Sequence, residues 1–114
     1  MTPDLFYKAL ADDTRIRCLL LITLYDELCV CELMAALNET QPKISRHLAQ
    51  LRKSGVLSDR RQGQWVFYQL HSELPIWAKN VLHTTLNSQK QWLENNIHQL
   101  ESMGSRPDRL ISCC

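Results

Sequence analysis

Apolar residues recur at helical spacing in the amino-terminal part of the chain. Leu5 to Ala9 predicts a short first helix, and Asp12 or Asp13 is placed to cap a second one. The apolar positions of that second helix are Ile16, Leu19, Leu20 and Leu24. A third helix is predicted over roughly Val30 to Leu37. We expect the apolar faces of these helices to form the core.

The segment after residue 38 combines an apolar stripe with a polar and basic face. A polar break at Asn38–Thr40 precedes Pro42, which a first helical turn tolerates, and Gly55 ends the predicted helix. The core-facing positions, at helical spacing, are Ile44, Leu48 and Leu51. The opposite face presents Lys43, Arg46, Gln50 and Lys53. Two helices joined by so few residues, the second amphipathic and basic, are typical of a helix-turn-helix.

A β-hairpin is predicted after Gly55. Two runs rich in strand-forming residues, Val56–Arg61 and Gln64–Leu70, flank the tight turn at Gln62 and Gly63. Next to a helix-turn-helix, such a hairpin forms a wing. The predicted fold class is therefore mainly α with a small β-hairpin, a winged helix-turn-helix.

The carboxyl-terminal part predicts one long helix from Ser72 to about Met103, with Pro75 in its first turn. Its apolar stripe comprises Leu74, Ala78, Val81, Leu82, Leu86, Leu93, Ile97 and Leu100. Because the preceding helices already supply a core, we expect this stripe to pack against a second copy, giving a homodimer through terminal helices. Gly104 and Pro107 mark a tail, so we divide the chain into a domain of residues 1–103 and a flexible tail of residues 104–114.

Length and composition indicate one domain. The chain has 114 residues, of which 45% are hydrophobic, enough to bury a core. The longest apolar run, Cys18–Ile22, is far shorter than the roughly 20 residues of a membrane span, and no leader pattern opens the sequence. The five cysteines are odd in number and unevenly spaced, unlike a disulfide framework. We expect a cytoplasmic protein with reduced thiols and no membrane association.

Charge is distributed unevenly along the chain. The formal net charge is +1, but residues 41–64 carry +5 and the remainder −4. Such asymmetry is typical of a face that binds nucleic acid, although solvated surfaces also show it. The predicted contacts to double-stranded DNA are Gln41, Lys43, Ser45, Arg46, His47, Gln50, Lys53, Arg60, Arg61 and Gln62.

These predicted contacts divide into two kinds, since base readout and phosphate positioning use different side chains. We expect Ser45, Arg46 and Gln50 nearest the bases. The residues expected on phosphates are Lys43, Lys53, Arg60 and Arg61. For His47, simple packing on the flank of the helix is an equal alternative.

Cys29 and Cys31 are one residue apart at the start of the third predicted helix. On a regular helix their side chains would point about 200° apart, so they can share one ion only if the backbone around Val30 is not helical. This departure costs least at a helix start, where the N-terminus also favours the thiolate that binds soft metals. Two half-buried cysteines that merely pack are the alternative.

The other cysteines divide into a buried one and a terminal pair. Cys18 lies on the core helix, where buried packing is expected. Cys113 and Cys114 end the chain on a tail that could extend roughly 33 Å and so reach a distant thiol pair. The alternative is an inert tail whose thiols oxidise opportunistically.

Three segments in order carry a family resemblance: ELCVCEL at Glu27–Leu33, QPKISRHL at Gln41–Leu48 and GQWV at Gly63–Val66. From about Leu5 to Trp92 the sequence resembles the arsenic-responsive repressors of the ArsR/SmtB family. The resemblance implies a homodimeric winged-helix repressor of a metalloid-resistance operon with no constitutive cofactor. It further implies that operator DNA and the inducer, arsenite or antimonite, bind antagonistically.

The resemblance implies that Cys29 and Cys31 bind the trivalent arsenic or antimony. The best-known arsenic sensors of this type carry a third cysteine three residues after the second, where this chain has Met34. A thioether cannot be deprotonated, so it is a poor substitute for a thiolate. Cys113 and Cys114 are therefore candidates for the third sulfur ligand.

Other functions explain less of the sequence. A thiol enzyme such as a small arsenate reductase needs a cradle of backbone amides for its anion, and nothing around Cys29 offers one, so we predict no enzymatic activity. A metal-buffering protein would account for the thiols but not for the basic helix. A zinc site on His98 and Glu101 lacks the rest of its pattern, since Val81 stands where an acid would precede His83. A repressor of the same fold that senses another soft metal is the alternative.

Overall fold

The computed structural model describes residues 1–113, with the side chains of residues 112 and 113 left out of the description. The elements are α1 (Pro3–Leu10), α2 (Asp13–Tyr25), β1 (Glu27–Cys29), α3 (Val30–Leu37), α4 (Gln41–Lys53), β2 (Leu57–Gln62), β3 (Trp65–Leu70), α5 (Ile76–Ser88), α6 (Lys90–Glu101) and α7 (Asp108–Cys113). Within the described range, no helix is long and apolar enough to cross a membrane.

The helix-turn-helix formed by α3 and α4 is confirmed. Asp12 caps the preceding α2, because its side chain accepts a hydrogen bond of 3.0 Å from the Arg15 backbone N–H. α3 ends at Asn38, which adopts a left-handed conformation (φ 53°). After α4, Gly55 takes φ 86°, a value that favours glycine. Local capping and turn residues thus set the ends of both helices.

The predicted hairpin is confirmed, and it belongs to a three-stranded antiparallel sheet in the order β1-β3-β2. β2 and β3 pair from Leu57 opposite Leu70 to Gln62 opposite Trp65. The sequence does not predict β1, since three residues are too few to show an alternating pattern. β1 pairs with β3 and leads directly into α3. Cys29, which ends β1 and caps α3, therefore connects the sheet to the helix-turn-helix.

The prediction of one long carboxyl-terminal helix is wrong. The helix is interrupted at Gln89, which has φ −123° and ψ 28°, so that α5 and α6 are separate. Most of the predicted stripe is buried within the same chain: α5 packs on α2, α6 packs on α3, and Leu82, Leu93 and Leu100 are fully buried. An apolar stripe alone does not distinguish packing within a chain from packing against a second copy.

A short helix, α7, lies in the segment that the sequence predicts to be a flexible tail, and the flexibility stays a prediction. Leu110 is buried, and Arg106 and Arg109 form ion pairs with a buried acid, Glu32. These long-range contacts order a segment whose own composition favours disorder. The division of the chain at residue 103 stays a prediction.

Candidate DNA-binding face and thiol site

α4 separates its buried and exposed faces as the sequence predicts. Ile44, Leu48 and Leu51 are fully buried in the main core. On the other side, the side chains open to solvent include Arg46, Gln50 and Lys53, and Lys43 is partly exposed. This face presents basic and amide groups outwards, the groups that contact phosphates and base edges in a major groove. The individual DNA contacts stay predictions.

Several of these side chains are held in place by neighbours. Gln41 Nε2 donates to Ser45 Oγ at 3.0 Å, and Lys43 Nζ lies 3.0 Å from Glu39 Oε1. Both contacts are local to the start of α4, the first exposed and the second partly buried, so each is weak and can be exchanged for a DNA contact.

Arg15 joins α4 to the end of α1. Its Nη1 donates to Gln50 Oε1 at 3.2 Å, and its Nε donates to the Ala9 carbonyl at 2.8 Å. Sequence reasoning did not identify Arg15, because an arginine on a predicted core helix carries no signal of its partners. The contact orients Gln50, one of the predicted base-reading side chains.

In the wing, Arg60 and Arg61 differ in their surroundings. Arg60 Nη2 lies 2.6 Å from Glu27 Oε1, its Nη1 donates to Gln62 Oε1 at 2.8 Å, and its guanidinium stacks 4.8 Å from the Phe67 ring centroid. The hydrogen bond from Arg60 lowers the pKa of Glu27. Because Glu27 already compensates the charge of Arg60, the exposed Arg61 is the better candidate for a phosphate contact.

His47 does not lie on the exposed face of α4, which favours the packing alternative, and its DNA contact stays a prediction. Only 7% of the residue is exposed, its Nε2 lies 3.9 Å from Asp12 Oδ1, and its Nδ1 is buried without a hydrogen-bond partner among the described residues. The periodicity of α4 places residue 47 beside the core-facing row, so packing prevails.

The stability of the protein should depend on pH through His47. Burial lowers its pKa below the ordinary 6.5, opposed by Asp12 and assisted by Arg15, Arg46 and Lys43. The unfolded chain therefore binds more protons below about pH 6.5, so the contribution is fully present above that pH and is lost as pH falls. Each unit by which the two pKa values differ contributes about 1.4 kcal/mol.

Urea unfolding at about pH 7.5 and about pH 5.5 measures this effect. A His47→Gln variant should lose less free energy of unfolding between these pH values than the unsubstituted chain. His83, which is exposed on α5, supplies the control substitution His83→Gln. An identical pH dependence in all three proteins would contradict the assignment.

Cys29 and Cys31 face a common space at the start of α3. Cys29 has extended backbone (φ −92°, ψ 170°), since it ends β1, and regular helix begins only at Val30. The two cysteines line one cavity of about 170 Å³ with Val30, Gln64, Trp65 and Val66. The non-helical backbone that a shared ion requires is thus present, at Cys29. This arrangement fits a soft ion held by two thiolates.

Cys29 also caps α3. The Glu32 backbone N–H donates to the Cys29 side chain, and Glu32 Oε1 accepts from the Cys29 backbone N–H at 3.0 Å, which together form a capping box. A sulfur atom here takes the place of the usual serine or threonine hydroxyl. Any ion that draws the Cys29 sulfur away removes half of this box, so ligand binding and the start of α3 are physically linked.

Glu32 is fully buried and forms ion pairs with two arginines. Arg106 Nη2 lies 2.6 Å from its Oε1, and Arg109 Nε lies 2.7 Å from its Oε2. Burial raises the pKa of Glu32, but the hydrogen bonds from Arg106 and the Cys29 amide outweigh it, so the net pKa is lowered. Sequence reasoning missed this residue; the signal was an acid three positions after the helix cap.

The other candidate side chains that the structure describes lie in different surroundings. Cys18 is fully buried, and burial raises its pKa to about 12, as expected of a core residue. Met34 lines a different, more open cavity with Cys31 and Met103. Glu101 accepts a hydrogen bond of 3.0 Å from the Tyr25 hydroxyl. Among the described residues, no three His, Cys, Asp or Glu side chains are grouped to hold a metal ion.

Two predicted ligands lie at the end of the chain. Cys113 is the last residue of α7, and its side chain lies outside the described residues. Cys114 lies wholly outside them. Their role as ligands stays a prediction.

Known proteins are similar to this chain in sequence and in fold. Residues 12–59 match the bacterial regulatory protein, arsR family. The arsenic resistance transcriptional regulator ArsR2 of Pseudomonas putida is 56% identical over 114 residues, which are 100% of this chain and 99% of that protein. The arsenical resistance operon repressor of Escherichia coli K12 is 40% identical over 99% of this chain and 97% of its own length.

Among solved structures, reduced HlyU from Vibrio cholerae is similar with a TM-score of 0.67 and 33% identity, over 75% of this chain and 85% of that one. The sequence relatives extend the match beyond residues 12–59 to nearly the whole chain. The chain therefore belongs to the arsR family of bacterial regulatory proteins.

Proposed function

We propose that this protein is a metalloid-responsive repressor of an arsenic-resistance operon. It binds operator DNA through α4 and the wing, and it dissociates when trivalent arsenic or antimony binds the thiolates of Cys29 and Cys31. The observation that carries the proposal is the shared cavity of these two thiols at the start of the helix that packs against α4. Relatives named as arsenic-resistance regulators support the choice of ligand.

The third sulfur ligand is proposed to come from Cys113 or Cys114. Support comes from Leu110, which packs with Cys29 and Phe67 in one apolar cluster. The backbone of residue 113 follows Leu110 by three helical residues, a rise of about 4.5 Å. This short separation from Leu110 supports the proposed contribution of the terminal cysteines.

The active form is proposed to be a cytoplasmic homodimer that uses α1 and α5. Four large apolar side chains are exposed there: Leu5 (52%), Tyr7 (52%), Ile76 (72%) and Trp77 (37%). The Phe6 ring, 5.1 Å from that of Trp77, joins the two helices. An exposed apolar group of this kind favours a protein interface, and a two-fold dimer matches two operator half-sites about one helical turn apart.

Operator recognition tests the DNA-binding part of the proposal. Arg46→Ala and Gln50→Ala should each weaken binding to the operator by about 1–3 kcal/mol and binding to random duplex by less, because base contacts carry the specificity. Fluorescence anisotropy on both duplexes at one salt concentration measures this. Lys90→Ala, at an exposed position that begins α6, is the control.

Equal losses on the two duplexes would show that these side chains contact only phosphates. Sedimentation of the same proteins at micromolar concentration should give a dimer. A monomer under those conditions would contradict the proposed dimer. The residue assignments on α4 would still be decided by the anisotropy measurements.

A further inference from the structure

The segment 105–113, called here the carboxyl-terminal arm, covers the side chain of Cys29. Leu110 of the arm packs with Cys29 and Phe67, and these residues are 8%, 3% and 3% exposed. By contrast, Cys31 is partly exposed. The arm and β3 together therefore separate one of the two thiols from solvent.

The arm is fastened by Glu32, the buried acid that follows Cys31. Glu32 receives two hydrogen bonds from Arg106, at 2.6 Å and 3.1 Å, and one of 2.7 Å from Arg109. A buried carboxylate without partners is strongly disfavoured, so these guanidinium groups cannot leave unless water replaces them. The arm therefore has two states: either its arginines are bound to Glu32, or the arm is released and water hydrates Glu32.

Arg106 makes further contacts with the elements around the thiol cavity. It donates to the Glu27 carbonyl of β1 at 3.1 Å, and its guanidinium lies 4.8 Å from the centroid of the Phe67 ring in β3. One side chain of the arm thus touches β1, β3 and α3, the three elements that enclose Cys29. This placement makes the arm a cover for Cys29, while Cys31 packs against the same cluster and stays partly exposed.

We infer that Arg106 and Arg109 are positioning residues that, through Glu32, hold the arm over Cys29 and so control the access of thiol-seeking ligands to it. Opening of the arm exposes Cys29, and reseating covers it. The inference rests on the proposed function only for the identity of the natural ligand. The cover itself is a property of the protein alone.

Thiol reactivity without metalloid or DNA tests the inference. One protein keeps only Cys29 and another keeps only Cys31, the other cysteines being replaced by serine, or by alanine at Cys18. For each of the two, mass spectrometry measures the rate of alkylation by iodoacetamide in three forms. These are the full chain, the full chain with Arg106→Gln plus Arg109→Gln, and the chain truncated after Met103. Ile111→Ser, at a position 67% exposed on the arm, is the matched control.

Both ways of releasing the arm should accelerate alkylation of Cys29 by about tenfold or more, since access then no longer needs local opening. Cys31 should change much less, and Ile111→Ser should change neither thiol. If the doubly substituted protein does not fold, the truncated chain still provides the test. Truncation removes the whole arm, so water can hydrate Glu32.

Unchanged Cys29 reactivity in the folded truncated chain, judged by circular dichroism, would overturn the inference. So would equal acceleration of both thiols, which indicates general loosening. Failure of arsenite to release operator DNA would instead count against the proposed function, and it would leave the alkylation result intact.

Discussion

Replacing Cys29 or Cys31 by serine is expected to give a repressor that stays on its operator in the presence of arsenite. Neither thiol belongs to the exposed face of α4, so operator affinity without arsenite should be retained. In the unsubstituted protein, arsenite should weaken operator binding by a coupling of about 1–3 kcal/mol, roughly 5- to 150-fold. In either serine variant this factor should fall to about one.

The physical reason is that Cys29 caps α3 and is also a proposed ligand. A metalloid that draws its sulfur towards Cys31 removes the hydrogen bond from the Glu32 amide and so weakens the first turn of α3. Helix α3 packs against α4, and Leu33 and Ile44 belong to the same buried cluster. A change at the start of α3 is therefore transmitted to the position of α4. Linkage requires that operator DNA weaken arsenite binding by the same factor.

Anisotropy titrations of arsenite into the protein–operator complex measure the coupling. Cys18→Ala, at a buried position remote from any proposed ligand role, should keep the full response. A chain truncated before Cys113 tests the third sulfur, and its response should require more arsenite. If a Cys31→Ser protein still releases DNA at the same arsenite concentration as the unsubstituted protein, the cysteine pair is not the sensor. If the protein binds arsenite with equal affinity with and without operator DNA, the release mechanism is wrong.

Glu32→Ala is expected to lower the free energy of unfolding by about 3–5 kcal/mol, because removing one partner of a buried ionic network leaves the other charges uncompensated. The substitution removes the carboxylate that pairs with Arg109, only 8% exposed, and that accepts from the buried amide of Cys29. Against a total stability of about 5–15 kcal/mol for a protein of this kind, this is a large loss. Urea unfolding at neutral pH measures it.

Glu27→Ala is the matched control. Glu27 also contacts Arg106, at 3.5 Å, but its side chain is 22% exposed and pairs mainly with the exposed Arg60. Partly exposed pairs contribute about 0–1 kcal/mol, so the Glu27 variant should lose much less stability than the Glu32 variant. Similar losses in both proteins would show that burial does not distinguish the two acids.

The sequence by itself determined the local elements of this protein. Asp12 and Gly55 mark ends that short-range hydrogen bonds and backbone conformation impose, and the row of Ile44, Leu48 and Leu51 identifies the buried face of α4. The hairpin followed from strand-forming residues around Gly63. Each of these signals is contained in a few neighbouring residues, so it can be recognised without knowledge of the rest of the chain.

Only the tertiary structure decided which distant segments meet. The pairing of β1 with β3, the burial of the carboxyl-terminal stripe within the same chain and the docking of α7 on Glu32 all join residues far apart in sequence. The free energy of such contacts depends on the burial and charge of both partners together, and neither partner's local sequence records it. For this reason Cys29 and Cys31 were identified as a pair from their spacing, whereas the arm that covers one of them was not.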